Sequence, residues 1–250
     1  MRKPEQLVHS RTRVTSRYAL MPLEGFPVSR FPSCPEAEAR VLASPALGAQ
    51  FVEMLVDLPK GKTLSVVASG EVEHFYYVIS GTGKLQEGRS ARVLEPGSFG
   101  LLPPETSFQI AAAEPLRYLS LRKNYESARG VEVFKSIHGH ESQIERKVWA
   151  DNPHTKLQTL IPDEIAFDLA MNIFTFDPGF GLPVVETHVM EHGLLFLEGK
   201  GLYYLGEQWM EVESDDFIWM GPYCPQSFYA TGPAPARYIY YKNVNREIST

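Results

Sequence analysis

Two stretches of the chain repeat one pattern, EHFYYVISGTG at residues 73–83 and EHGLLFLEGKG at residues 191–201. Each joins a Glu-His pair to an apolar run and a Gly-x-Gly turn signal, and the offset between them is 118 residues. After a two-residue insertion the correspondence resumes at Ser107 and Ser227 with an offset of 120. A repeat of this length predicts one structural unit that is present twice.

Short apolar runs broken by Gly and Pro, with 19 of each, surround both stretches. Because the runs have strand length and almost no segment has a 3.6-residue period, the sequence predicts an all-β protein. Turn signals about every eight to ten residues are typical of a sandwich or a small barrel. In the first half the predicted strands are Gln50–Leu58, Leu64–Ala68, Phe75–Ile79, Gly83–Glu87, Ala91–Val93, Phe99–Leu102, Ser107–Ala111 and Tyr118–Arg122. In the second half they are Asn172–Phe176, Leu194–Leu197, Leu202–Leu205, Trp209–Val212, Phe217–Met220, Gln226–Tyr229 and Tyr238–Lys242.

The repeat also predicts the domain organisation. Residues 47–122 and 165–250 form the two repeated domains, residues 1–46 form a leading arm, and residues 123–164 form a connector with one short helix. With 250 residues, of which 44% are hydrophobic, the chain is long enough to bury two cores.

Charge and composition exclude several classes of partner. The formal net charge of −6 argues against a nucleic-acid surface, and no apolar stretch is long enough to span a membrane. The basic start, Met1–Arg17, favours a solvated arm over an organelle transit peptide. Cys34 and Cys224 form no CxxC pair, so neither a disulfide framework nor a zinc knuckle is indicated, and we expect a reducing, cytoplasmic location.

Metal-ligand residue types cluster in the second repeat. Glu186, His188 and His192 have even spacings, so in an unbroken extended segment all three side chains point to one face. Gln226, on a later predicted strand, offers an amide oxygen as a fourth ligand. Two imidazoles, a carboxylate and an amide without a thiolate suit an octahedral ion such as Mn²⁺ or Fe²⁺ better than structural zinc. Glu191 has the opposite parity and is not predicted to be a ligand.

The alternative interpretation is a set of core residues with no metal. Two histidines and a glutamate within seven residues on one strand face are costly to bury unpaired, which favours the metal. The first repeat provides an internal control, since its equivalents of Glu186, His188, His192 and Gln226 are Ala68, Gly70, His74 and Thr106. One ligand of the four is kept, so we expect no metal in the first repeat and a core or interface role for His74.

These motifs resemble those of the bicupins, which have two tandem jelly-roll β-barrel domains. The second half in particular is similar to the (S)-ureidoglycine aminohydrolase family of allantoin degradation. The residues that carry the resemblance are Glu186-Thr187-His188, Glu191-His192-Gly193, Gly199–Tyr203, Trp209, Gln226, Tyr238–Tyr240 and Lys242. Further matches lie in Leu47–Ala49, Tyr77–Gly81 and Phe167-Asp168, so the resemblance covers nearly the whole chain.

The resemblance implies a Mn²⁺-dependent enzyme that hydrolyses (S)-ureidoglycine to (S)-ureidoglycolate and ammonia. Glu186, His188, His192 and Gln226 match the family's metal ligands, and Glu186 and Gln226 also lie beside the substrate. The resemblance assigns Tyr238 and Lys242 to substrate contact and catalysis, and Tyr203 to a position near the substrate. It also implies a homo-oligomer.

Two other classes of function stay open at this point. One is another metal-dependent cupin enzyme, a dioxygenase or isomerase that acts on a small acid; the other is a non-catalytic binding protein. For Tyr238 the alternative role is a packed aromatic, for Lys242 a charge at an exposed strand end, and for Cys224 packing rather than nucleophilic chemistry.

Overall fold

The computed structural model describes residues 11–247. All strand pairs in the described chain are antiparallel, and within residues 12–247 helical structure is limited to two 3-10 turns, Leu23–Gly25 and Glu141–Gln143. The all-β prediction is therefore confirmed. The chain divides into two compact units. The N-terminal unit is Pro27–Gln143, and the C-terminal unit combines Ile144–Thr250 with Met1–Phe26, each as far as it is described.

The N-terminal unit has two sheets. Its larger sheet has the order β13-β10-β7-β12-β5-β4-β3, and its smaller sheet has the order β6-β11-β8-β9. The strands are β3 (Val28–Phe31), β4 (Cys34–Ala43), β5 (Phe51–Leu58), β6 (Thr63–Val66), β7 (Val72–Ser80), β8 (Gly83–Glu87), β9 (Ser90–Leu94), β10 (Ser98–Leu102), β11 (Phe108–Ala112), β12 (Leu116–Asn124) and β13 (Ile137–His140).

The C-terminal unit repeats this arrangement. Its larger sheet has the order β1-β2-β20-β17-β22-β16-β15-β14, and its smaller sheet has the order β19-β18-β21. The strands are β1 (Arg13–Val14), β2 (Tyr18–Met21), β14 (Lys147–Trp149), β15 (Asn152–Thr159), β16 (Leu169–Phe176), β17 (His192–Glu198), β18 (Lys200–Leu205), β19 (Gln208–Glu213), β20 (Phe217–Met220), β21 (Gln226–Ala230) and β22 (Ala236–Asn243).

Strand register preserves the sequence repeat. His74 on β7 lies opposite Arg122 on β12, and His192 on β17 lies opposite Lys242 on β22. The glycines that follow β7 and β17 show why the turn is repeated. A Cβ on Gly199 would lie 2.5 Å from the carbonyl oxygen of Pro235, and its φ of +79° is one that other residues rarely adopt.

The structure contains every strand predicted from the two repeats, with ends that differ by a few residues. It also contains seven strands that were not predicted, β1–β4 and β13–β15. β2 pairs with β20 and β13 pairs with β10, so each larger sheet gains a strand from outside the repeat. Residues 1–10 of the predicted arm lie outside the described residues, and the predicted domain boundaries stay a prediction.

Each unit has its own apolar core between its two sheets. In the N-terminal unit the core includes Val56, Val78 and Leu85, and in the C-terminal unit it includes Phe176 and Phe196, all essentially inaccessible to solvent. Cys34 and Cys224 are free, and each is buried in one of these cores. No helix among the described residues has the length and apolar character that crossing a membrane requires.

Candidate metal and substrate site

The predicted site residues of the second repeat line one cavity of about 360 Å³ inside the C-terminal unit. The structure brings together all seven of them. They are Glu186, His188, His192, Tyr203, Gln226, Tyr238 and Lys242. The rest of the wall is mainly apolar and aromatic, and it includes Trp149, Phe174, Leu182, Met220 and Tyr240. A cavity of this size with few polar groups on an apolar wall is typical of a small-molecule site.

The segment that carries the predicted ligands is not one continuous strand. Glu186 forms an isolated bridge with Gln226 on β21, with backbone hydrogen bonds of 2.8 and 2.9 Å, whereas His192 begins β17 in the other sheet. The chain must therefore turn between the two sheets. The premise of an unbroken pleat from Glu186 to His192 is wrong. The backbone carbonyl of His188 accepts a 2.7 Å hydrogen bond from the Tyr223 N–H, which holds this corner.

The two imidazoles nevertheless face each other. His192 Nδ1 lies 3.0 Å from the carbonyl oxygen of Tyr241, so Nδ1 carries the proton and Nε2 presents a lone pair. His188 Nε2 lies 3.2 Å from His192 Nε2. Burial, and then the nearby His188, lower the pKa of His192 to about 3. The ring is therefore neutral at physiological pH, which is the form that binds a metal ion.

The amide of Gln226 completes this cluster. One end lies 3.1 Å from His188 Nε2, and the other accepts a 2.9 Å hydrogen bond from the Tyr203 hydroxyl. Because a hydroxyl both donates and accepts, Tyr203 can partner the amide in either orientation of its oxygen and nitrogen. Tyr203 thus fixes the position of the Gln226 side chain.

The donor set fits a metal ion. His188 Nε2 cannot donate its proton to His192 and accept one from Gln226 at once, so the cluster is short of compatible protons. A cation that accepts lone pairs from these groups removes the conflict. In the described chain no three His, Cys, Asp or Glu side chains are already arranged as a metal site; the converging groups are two imidazoles and an amide, and Glu186 lines the same cavity.

Lys242 is the one lysine or arginine among the described residues that line this cavity. Burial raises the pKa of Glu186, and the Lys242 charge acts in the opposite direction. Burial lowers the pKa of His188, and Lys242 lowers it further. Lys242 is half-buried on β22. The cavity wall therefore carries one lysine, one glutamate and two imidazoles whose pKa values are lowered.

Tyr203 and Tyr238 belong to an aromatic cluster beneath the cavity. Their ring centroids are 6.1 Å apart, and Tyr238 also contacts Phe174 and Phe228 at 5.7 and 5.6 Å. Burial raises the pKa of both tyrosines well above its usual value. Both hydroxyls therefore stay protonated; the Tyr203 hydroxyl donates to Gln226, and the Tyr203 and Tyr238 hydroxyls are hydrogen-bonded to each other.

Three other residues discussed in the sequence lie apart from this cavity. Glu191 is buried and accepts a 3.4 Å hydrogen bond from the Trp219 indole N–H. His74 lines a cavity of the N-terminal unit. Burial raises the pKa of the Cys224 thiol, whose side chain packs in the core. Sequence reasoning missed Trp149 and Tyr240 as wall residues. Only folding brings Trp149 of β14 to Phe174 of β16, with ring centroids 5.5 Å apart, and the aromatic run 238–241 does not reveal which rings face the cavity.

Comparisons with known proteins give relatives over the full length of the chain. The (S)-ureidoglycine aminohydrolase of Escherichia coli (strain K12) is 32% identical over 249 residues, which cover 98% of this chain and 95% of the relative. The (S)-ureidoglycine aminohydrolase of Arabidopsis thaliana is 31% identical, over 92% of this chain and 76% of the relative. No protein-family model matches the chain.

Solved structures show the same similarity. The crystal structure of the Escherichia coli protein Ylba superposes with a TM-score of 0.86 at 30% identity, covering all of both chains. A cupin 2 conserved barrel domain protein from Leptotrichia buccalis superposes with a TM-score of 0.63 at 15% identity, over 90% of this chain and 96% of that one. The second likeness concerns the fold alone.

Proposed function

The chain belongs to the (S)-ureidoglycine aminohydrolase family, with its two-barrel cupin fold, and from this premise we propose that it hydrolyses (S)-ureidoglycine to (S)-ureidoglycolate and ammonia. In this reaction a C–N bond of the substrate breaks, a C–O bond to water forms, and the amino group leaves as ammonia. The proposed role is a step of allantoin degradation.

One observation carries the proposal beyond the family name. His188 Nε2 lies 3.2 Å from His192 Nε2 and 3.1 Å from the Gln226 amide, in a cavity wall that also carries Glu186 and Lys242. These are the residues that the resemblance assigns to metal and substrate binding. A substrate with an amino group and a carboxylate on one carbon matches a site with a cation-binding cluster and an ammonium.

We propose Glu186, His188, His192 and Gln226 as the ligands of a Mn²⁺ ion. Neutral imidazoles together with oxygen donors suit this ion. When bound, the ion supplies Lewis acidity and a template that orients the substrate and polarises its bonds. His192 is held for this role by its Nδ1 bond to the Tyr241 carbonyl, and Gln226 is held by the Tyr203 hydroxyl.

The remaining polar groups of the wall orient the substrate. Lys242 pairs with the substrate carboxylate, because it is the ammonium of this cavity and its position opposite His192 brings it beside the ligand cluster. Tyr238 hydrogen-bonds the ureido group through its hydroxyl, which accepts from the ureido N–H while it donates to Tyr203. Holding both ends of the substrate presents one face to water, which accounts for a single product enantiomer.

The experiment combines metal analysis with an assay of the reaction. Protein purified without added metal is analysed by mass spectrometry, and ammonia release is followed while allantoate amidohydrolase supplies ureidoglycine, which decays on its own. We expect near-stoichiometric manganese and enzyme-dependent formation of the S enantiomer of ureidoglycolate. His192→Ala should lose both metal and activity, whereas His154→Ala, which changes an exposed histidine of the same unit, should keep both.

Two outcomes would redirect the proposal. Bound iron with oxygen consumption on a small acid would instead indicate a cupin dioxygenase. Full manganese content in both His192→Ala and Glu186→Ala would remove the ligand assignment.

We also propose that the protein is a homo-oligomer located in the cytoplasm. Size-exclusion chromatography with light scattering tests the oligomeric state, and cell fractionation tests the location.

A further inference from the structure

The N-terminal unit contains a second cavity, of about 410 Å³, at the place where its fold repeats the candidate site. Its polar wall includes His74, Arg122 and Gln50, and its apolar wall includes Val52 and Leu64. The unit has only one of the four predicted ligand types, as the sequence control indicates. It therefore has the cavity without the metal-ligand set.

The N-terminal cavity has a basic side chain at the position equivalent to Lys242. Arg122 lies opposite His74 across β7 and β12, in the same register in which Lys242 lies opposite His192. Arg122 is half-buried, and burial lowers its pKa, with no carboxylate of the described residues acting on it in the other direction. A guanidinium thus stands where the C-terminal unit has an ammonium.

The N-terminal cavity has no acidic side chain to balance Arg122 among its described lining residues. In the C-terminal unit Glu186 faces the same cavity as Lys242, but its equivalent here is Ala68, and the wall of this cavity carries no Asp or Glu. The Nε atom of Arg122 is buried without a hydrogen-bond partner, and so is Nε2 of His74, a side chain only 4% exposed. Buried polar atoms of this kind are costly unless a ligand satisfies them.

The charge balance sets the class of ligand. Lys123, the other basic residue of the wall, already donates a 3.0 Å hydrogen bond to the Asn124 carbonyl and lies 3.8 Å from Glu126. This leaves one guanidinium to be neutralised. A planar guanidinium binds a carboxylate through two parallel hydrogen bonds, and the Val52 and Leu64 side of the wall suits a short carbon chain.

We propose that the N-terminal cavity is a metal-independent binding site for a small monocarboxylate, held by Arg122 with His74 beside it. The site is distinct from the catalytic cavity, and the proposal does not depend on the reaction assigned to the other unit.

The test is calorimetric titration of acetate and pyruvate into the full-length, metal-loaded protein. Since carboxylates also reach the metal of the other unit, the sites are distinguished by variants. Arg122→Gln should lose one binding site per chain, or weaken it at least tenfold. Arg89→Gln changes an exposed arginine of the same unit and should bind as the unaltered protein does.

A second variant keeps the guanidinium and adds a carboxylate to the cavity wall. Gln50→Glu replaces the amide of a lining residue by a carboxylate and should compete with the added anion, so that the site per chain disappears while the protein stays folded by circular dichroism. Undiminished binding by both Arg122→Gln and Gln50→Glu would overturn the proposal. It would also be overturned by the absence of this site at millimolar carboxylate, or by stronger binding of inorganic phosphate than of either carboxylate.

Discussion

Replacing Tyr203 by phenylalanine tests how the site is positioned. The hydroxyl of Tyr203 donates a 2.9 Å hydrogen bond to Gln226, and the two side chains are only 1% and 5% exposed. Without it the buried amide of Gln226 is left without this partner, which costs about 1–3 kcal/mol of folding free energy. For a chain of this size each kcal/mol lowers the melting temperature by about 2–4 °C.

Metal affinity gives a second and independent readout of the same change. An outer group that orients a ligand typically contributes a factor of about 10–100 to metal affinity. Tyr203→Phe should therefore bind Mn²⁺ more weakly by about this factor, because Gln226 no longer has a fixed orientation. Calorimetric Mn²⁺ titration measures the affinity, and differential scanning calorimetry of the metal-free protein measures the stability.

The control is Tyr229→Phe, which removes the hydroxyl of an exposed tyrosine on the same strand as Gln226. It should melt and bind Mn²⁺ as the unaltered protein does. If Tyr203→Phe lowers the melting temperature but leaves Mn²⁺ affinity unchanged, Gln226 is not a ligand held by Tyr203. If it changes neither quantity, the buried hydrogen bond does not have the energetic role argued here.

Three further predictions concern stability. Burial raises the pKa of Glu53 to about 8, so the folded state disfavours the carboxylate form. The free energy of unfolding therefore falls as pH rises from the usual pKa of a glutamate through about 8. Glu53→Gln should raise the unfolding free energy measured in urea by up to about 4–5 kcal/mol at about pH 9, and change it little at about pH 5. Gly199→Ala should lower the melting temperature more than Gly179→Ala does. Both glycines have φ near +80°, but a Cβ at Gly199 would lie 2.5 Å from the Pro235 oxygen, whereas one at Gly179 meets nothing closer than 3.8 Å. Equal shifts in melting temperature would contradict this steric argument. Arg11→Met should lower the free energy of unfolding by about 1–3 kcal/mol, since it removes the guanidinium paired with the buried Asp216 side chain. Thermal melts that match those of the unaltered protein would show that this pair does not stabilise the unit.

The fold was predictable because its information is repeated in the sequence. Each predicted strand is an apolar run between turn residues, and the Gly-x-Gly signal recurs where the backbone needs a positive φ. The strands β2 and β13 were not predictable in the same way. The apolar residues of β2 form too short a run, and β13 is the polar segment Ile137–His140, so pairing with β20 and β10 determines their conformation more than their own sequences do.

The candidate site was predictable from residue types but not from local geometry. Even spacing suggested one strand face for Glu186, His188 and His192, whereas the chain turns between two sheets and only His188 and His192 meet directly. The role of Tyr203 as the partner of Gln226 depends on the pairing of β18 with β21, which joins residues 23 positions apart. No local pattern contains that contact.

The positions of the proposed ligands explain how two units with one fold can have different sites. Glu186 and His188 lie on the corner between the sheets, where the first repeat has Ala68 and Gly70, and no strand packing there requires a particular side chain. His192, by contrast, lies within the paired strands, and its equivalent is also a histidine. Substitutions at the corner can therefore add or remove the proposed metal ligands at little cost to the barrel. Both units have a basic residue opposite the shared histidine, Arg122 on β12 and Lys242 on β22, so a cavity without the proposed ligands is expected to favour an anion.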